Sequence, residues 1–190
     1  PVSIGLLARL RGGSRSCLLW PSTYGCSHGG PLTGDRLLVQ LLVLGIAVLH
    51  GRRGLRPCTA EPATDFIQQN PRTGQPSSER TEVRLLYDDE NLYVGVYCFD
   101  SAGREGLVVN HITRDSPGFD DDMFGVVLDT FGDHRNGFLF NTNPQGAKSD
   151  AQVGGNGTSY NRDWDAVWNV RTNLTEAGWQ AEIAIPFTSL

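Results

Sequence analysis

Between residues 81 and 186 apolar side chains recur at every second position, in short runs separated by turn residues, and such a pattern buries one side only when the chain folds as strands. Val83, Leu85 and Tyr87 share one strand face, and Asp88, Asp89, Glu90 and Asn91 supply a turn. The returning run places Leu92, Val94, Val96 and Cys98 on one side and Tyr93, Gly95, Tyr97 and Phe99 on the other. Both sides are apolar, which predicts a central strand covered on both faces. A third strand is predicted over residues 123–131, with Phe124, Val126 and Leu128 opposite Met123, Gly125 and Val127. The turn 132–137 leads it into a partner carrying Phe138 and Phe140, which stops at residues 143–146, so the two form a hairpin. After a glycine-rich loop at 154–159, Trp164, Ala166, Trp168 and Val170 alternate with Asp163, Asp165, Val167 and Asn169. Trp179, Ala181, Ile183 and Ile185 close the series before Pro186. Six or so strands, 23 glycines, 10 prolines and no stripe of helical period predict an all-β chain, an antiparallel β-sandwich of jelly-roll or immunoglobulin-like type.

The residues before this series are of another kind. Residues 1–56 hold seven Arg against one acid, Asp35, a charge of +6, while residues 57–190 hold nine basic against 20 acidic groups, a charge of −11. Residues 1–57 therefore read as a leader and 58–190 as the domain. Within the leader, residues 37–49 carry thirteen residues with Gln40 as the one polar member. That is short of the roughly 20 residues a membrane helix needs, so no membrane span is expected. The length suits the apolar segment of an export signal, with Arg9, Arg11, Arg15 and Arg36 before it, although the Arg52-Arg53 pair downstream is a poor cleavage site. A signal segment, a buried helix and an unrelated or disordered leader stay open at this point. The chain opens on Pro1 rather than Met, and it is read as a fragment.

The acidity of the main portion excludes a non-specific nucleic-acid binder, which needs clustered Lys and Arg. Cys17, Cys26, Cys58 and Cys98 have neither zinc-type spacing nor the density of a disulfide framework. Cys98 falls in phase with core positions and reads as a small buried hydrophobe. No GxSxG elbow is present, and no motif selects one carboxylate pair for hydrolysis, so the portion from 58 to 190 reads as non-catalytic.

Several ordered runs resemble one family. They are 65–71 (DFIQQNP), 81–100 (TEVRLLYDDENLYVGVYCFD), Arg114-Asp115, 120–146 (DDDMFGVVLDTFGDHRNGFLFNTNPQG), 163–170 (DWDAVWNV) and 178–190 (GWQAEIAIPFTSL). Together they resemble the N-terminal domain of large bacterial surface or periplasmic proteins, in the family-nine carbohydrate-binding-module superfamily, a β-sandwich related to the DOMON fold. The resemblance spans about residues 61–190. It implies an exported chain, periplasmic, outer-membrane-associated or extracellular. The implied partners are a polysaccharide or oligosaccharide and a C-terminal domain of a longer parent that is itself a glycoside hydrolase or other hydrolase. Relatives carry a Trp in an opening strand before the position of Ala63 and continue past the Ile-Pro-Phe motif, so the sandwich is expected to be truncated at both ends. The competing implication is a structural domain docking on a membrane-barrel or catalytic partner.

Sugar binding sets a flat aromatic against the apolar face of a pyranose and lets amides and charged groups read its hydroxyls. Phe119 and Tyr160 in loops and Trp164 at a loop boundary are the candidate platforms, with Arg114, Asn141 and Asn143 as polar candidates. Trp168 and Trp179 are in phase with the core. The resemblance places the family's platform at Phe119, its Glu near Gly125 and its Arg near Asn141, so two of the three ligand-reading residues are not retained. Asp120, Asp121, Asp122, Asp129 and Asp133 are the candidate oxygen ligands of a structural calcium ion, the solvated acidic turn being the alternative and Arg114 a candidate partner for them. The haem-binding branch of the fold implies axial ligands; Met123, the one methionine, is in phase with Gly125 and Val127 and reads as packing. His111 and His134 read as surface histidines.

Overall fold

The computed structural model describes residues 3–9, 16–19, 56–57, 62–69, 71–116 and 120–190. Among these described residues twelve strands run in the order β1 Ser3–Arg9, β2 Ser16–Leu19, β3 Arg56–Pro57, β4 Ile67–Gln68, β5 Thr81–Tyr87, β6 Asn91–Phe99, β7 Met123–Asp129, β8 Gly137–Thr142, β9 Lys148–Gly154, β10 Ser159–Asn161, β11 Asn169–Thr175 and β12 Gly178–Pro186. All pairings are antiparallel and form two sheets, one ordered β10-β9-β8-β7-β1-β2-β4 and the other β11-β12-β6-β5-β3. The helical elements among the described residues are short 3-10 turns, such as Gly103–Gly106. None of the described helices is long and apolar enough to cross a membrane.

Alternation decides what lies between the sheets. Val83 and Leu85 of β5, Leu92, Val94, Val96 and Cys98 of β6, and Trp179, Ala181, Ile183 and Ile185 of β12 are buried from one sheet. Phe124, Val126 and Leu128 of β7 with Phe138 and Phe140 of β8 are buried from the other, in the same cluster. Each large side chain buried in this way contributes roughly 1.5–3 kcal/mol. Cys98 is a free, fully buried thiol, and burial drives its ionisation far out of the ordinary thiol range.

The two predicted hairpins form. In β5–β6 the turn is closed by Asp88, whose carboxylate accepts the backbone N–H of Glu90 at 2.9 Å and of Asn91 at 2.7 Å. In β7–β8 the turn is closed by Asp129, which accepts the N–H groups of Gly132, Asp133 and His134. Other boundaries differ from the sequence reading. The strand predicted from Trp164 begins only at Asn169, and the stretch read as glycine-rich loop is flanked by two strands, β9 and β10. Three described pieces of the leader, β1, β2 and β3, are also strands, and β1 pairs with β7 from Ser3↔Asp129 to Arg9↔Met123. The apolar run 37–49 lies outside the described residues.

One glycine fixes how β12 enters its sheet. Gly178 opens β12 at φ +136°, and a Cβ there would overlap the carbonyl oxygen of Cys98 and lie 3.0 Å from Asp100 N and Phe99 Cα. Only glycine lets β12 lie in register against β6 from its first residue.

Candidate functional site

Gly125 on β7 and Asn141 on β8, the positions to which the resemblance assigns a Glu and an Arg, are direct cross-strand partners. They share the outward side of their sheet, because the core side is taken by Phe124, Val126, Phe138 and Phe140. A Cβ on Gly125 would overlap Asn141 Oδ1, so the glycine is what lets the amide lie flat across β7. Asn141 Nδ2 points to Ser149 Oγ on β9 at 3.4 Å, while its Oδ1 is buried without a hydrogen-bond partner.

A small cleft opens here, lined by His111, Thr113, Ser116, Asn141, Lys148 and Ser149, with Asp121 and Met123 beside them. Its room, about 20 Å³, suits one water or one hydroxyl and not a porphyrin, so Met123 borders it as packing. Lys148 reaches the carbonyl oxygen of Trp168 at 2.8 Å and stands 5.2 Å from the Trp168 ring. Desolvation and the nearby Arg114 lower its pKa, against the opposing pull of Asp150, Asp165 and Asp115.

The segment 107–116 lies across this end of the sheet as a strap. Asp121 is buried, and it accepts the backbone N–H of Asn110 at 2.7 Å and of His111 at 3.1 Å, with the His111 ring at 3.3 Å. Burial opposes its charge, but those N–H groups and the Asn143 amide hold its carboxyl below the usual carboxylate value. Asp122 accepts the N–H of Val108 at 2.8 Å. Arg114 anchors the far end of the strap: its Nη2 donates to Asp150 Oδ2 at 2.7 Å, to Asp165 and to the carbonyl of Ala166 at 3.2 Å. Asp150 in turn accepts Trp168 Nε1 at 2.6 Å and the N–H of Ala166 at 3.3 Å.

The sequence candidates thus separate. Asn141 lines the cleft with an unmet acceptor. Asn143 also lines it, but its amide is consumed: Nδ2 donates to His111 O and Asp121, and Oδ1 accepts the N–H groups of Gln145 and Ala147. Arg114 is a brace under the strap, joined to Asp150, Asp165 and Asp115 rather than to the acids at 120–122. Trp164 packs on Phe138 and Phe140 with ring centroids 4.7 and 5.9 Å away, at the margin of the core. Tyr160 is half exposed on β10. Phe119 lies outside the described residues. His111, read as a surface histidine, is half buried against Asp121, whereas His134 is exposed.

Of the acids named as calcium ligands, Asp120 is exposed, Asp121 and Asp122 bind the strap, and Asp129 and Asp133 close the β7–β8 turn. No three His, Cys, Asp or Glu side chains among the described residues are gathered as a metal shell. Sequence reasoning missed Gly125 as a platform for the amide, Ser149 and Lys148; the strand that carries the last two has no apolar alternation to reveal it. Comparison with protein-family models, with curated proteins and with solved structures finds no match to this chain.

Proposed function

We propose that this chain is a non-catalytic carbohydrate-binding module of a larger exported protein engaged in polysaccharide binding or breakdown. The observation that carries the reading is Asn141 Oδ1, a buried acceptor without a partner at a cleft whose room suits one hydroxyl. Around it Thr113, Ser116 and Ser149 bring hydroxyls, which both donate and accept as a sugar hydroxyl requires, while the Lys148 ammonium is turned to Trp168 on the other face of β9. Asp121, the cleft's carboxylate, is held below the usual carboxylate value by its bonds to the strap, which disfavours it as a general acid near neutral pH.

Affinity electrophoresis in gels containing soluble xylan, β-glucan or pectin tests the reading. Wild type should be retarded by at least one of them, and Asn141→Ala should weaken that retention about tenfold, the worth of roughly one to two hydrogen bonds, with an unchanged far-ultraviolet circular dichroism spectrum. Gly125→Ala should do the same by displacing the amide. Migration unaffected by every polysaccharide, or retention indifferent to both substitutions, counts against sugar binding here.

The interaction-domain reading draws on one feature. Phe131 is 65% exposed and leans on Phe138, which leans on Trp164, so an aromatic file runs from the core to the surface. Phe131→Ser leaving polysaccharide retention intact while abolishing association with a longer parent chain would assign that file to docking.

A further inference from the structure

Among the described residues the two sheets end unequally. β10 closes one end of the seven-stranded sheet with three residues and β4 the other with two, while β3 closes one end of the five-stranded sheet with two, Pro57 among them. Ends so short, or carrying proline, offer little to an incoming strand. β11 closes the remaining end with seven residues, paired to β12 without a bulge and containing no proline. Its one charged residue, Arg171, lies cross-strand from Glu182. The backbone groups along the free side of β11 follow from the ladder. Asp100 N–H donates to the carbonyl of Ala177 at 2.9 Å, and the next pair along is Phe99 with Gly178. Hydrogen-bonded and non-bonded pairs alternate in an antiparallel ladder, so Gly178, Gln180, Glu182 and Ala184 turn their N–H and C=O groups to β11. Their partners there are Thr175, Asn173, Arg171 and Asn169. The N–H and C=O groups of Val170, Thr172 and Leu174 therefore point out of the sheet, and no group among the described residues bonds to them. The side chains of Val170 and Leu174 pack against the margin of the core, whereas Asn169, Arg171 and Asn173 are exposed.

We propose that the free side of β11 is an interaction edge whose occupant is β11 of a second copy of this chain, paired antiparallel about a two-fold axis at Thr172. The strand is self-complementary in that register. Thr172 meets its own copy, Val170 meets the second copy's Leu174 and Leu174 its Val170, so the three outward-pointing residues form three pairs that exchange two backbone bonds each. The apolar pairs lie on the core side and carry the buried layer across the seam, joining the two five-stranded sheets into one. On the exposed side Arg171 faces Asn173 of the second copy, so no like charges are opposed. The neighbouring registers that also match outward groups are worse. Centring on Arg171 sets two guanidinium groups opposite each other, and centring on Asn173 carries Val170 past the end of the second β11. A seam one strand long is at the small end of protein interfaces, so the dimer is a reversible one. The assignment is independent of what the Asn141 cleft binds.

Sedimentation equilibrium of the full chain between about 1 μM and 1 mM tests the proposal. Wild type should pass reversibly from monomer to dimer and go no further, because a two-fold seam uses both edges at once. Thr172→Pro removes the central outward N–H from each copy and leaves the ladder to β12 intact; it should weaken the dimer about tenfold or more while the circular dichroism stays β-type. Asn173→Asp sets a carboxylate opposite each facing Arg171 and should tighten the dimer about threefold or more, whereas Asn173→Arg should loosen it. If Thr172→Pro does not fold, the opposite effects of Asn173→Asp and Asn173→Arg decide the matter by themselves. A chain that stays monomeric throughout, association that runs on beyond the dimer, a dimer indifferent to a folded Thr172→Pro, or one that Asn173→Asp leaves unchanged or loosens each overturns the proposal.

Discussion

Asp150→Ala is expected to lower the stability of the chain by about 3 kcal/mol, within the range found when one partner of a buried ionic network is deleted. The carboxylate is 1% exposed and binds three groups that have no other common partner: the Arg114 guanidinium, the Trp168 indole N–H and the backbone N–H of Ala166. Arg114 is partly exposed and can recover water, but Trp168 is 1% exposed and its indole N–H would be stranded in the core. Asp150→Asn should cost less, because an amide oxygen still accepts from the indole while the charge on Arg114 goes unanswered. Urea unfolding read by tryptophan fluorescence checks the pair; a loss below about 1 kcal/mol for the alanine variant would show that Asp150 is not the hub described here.

Gly178→Ala is the second large effect. The backbone at φ +136° is one that side chains rarely adopt, and the added methyl would meet main-chain atoms of Cys98, Phe99 and Asp100, none of which can swing away as a side-chain tip does. Relief requires β12 to draw back from β6, and β12 delivers Trp179, Ala181, Ile183 and Ile185 to the core. A cost of at least about 3 kcal/mol is expected, combining backbone strain with lost packing. Soluble expression and a thermal melt provide the measurement. A variant melting within about 2 °C of wild type would mean that the entry of β12 is looser than its register implies.

The contrast between these residues and those found by periodicity explains what the sequence makes legible. Wherever a strand's inward members are apolar, as in β5, β6, β7 and β12, alternation locates both the strand and its buried face. It fails at β9, whose inward Asp150 is a buried carboxylate and so breaks the apolar rhythm, and at β10, whose three residues are all exposed. It overruns at residues 164–168, where Ala166 and Trp168 are buried as predicted but are pinned by Asp150 instead of by a strand ladder. Site residues are less legible still. The opposition of Gly125 and Asn141 depends on hairpin register, which alternation alone does not reveal.

The pairing of β1 with β7 has a temporal side. A ribosome delivers Ser3–Arg9 roughly 120 residues before the strand it pairs with, which at elongation speeds of about 5 to 20 residues per second is a delay of about 6 to 24 s. During that interval the newborn segment has no native neighbour on that side, and closing so large a loop is among the slowest steps open to a small domain. Completion of the seven-stranded layer therefore waits on β7, and a chaperone that shields the early strand would raise the yield of native protein more than one acting on the finished chain.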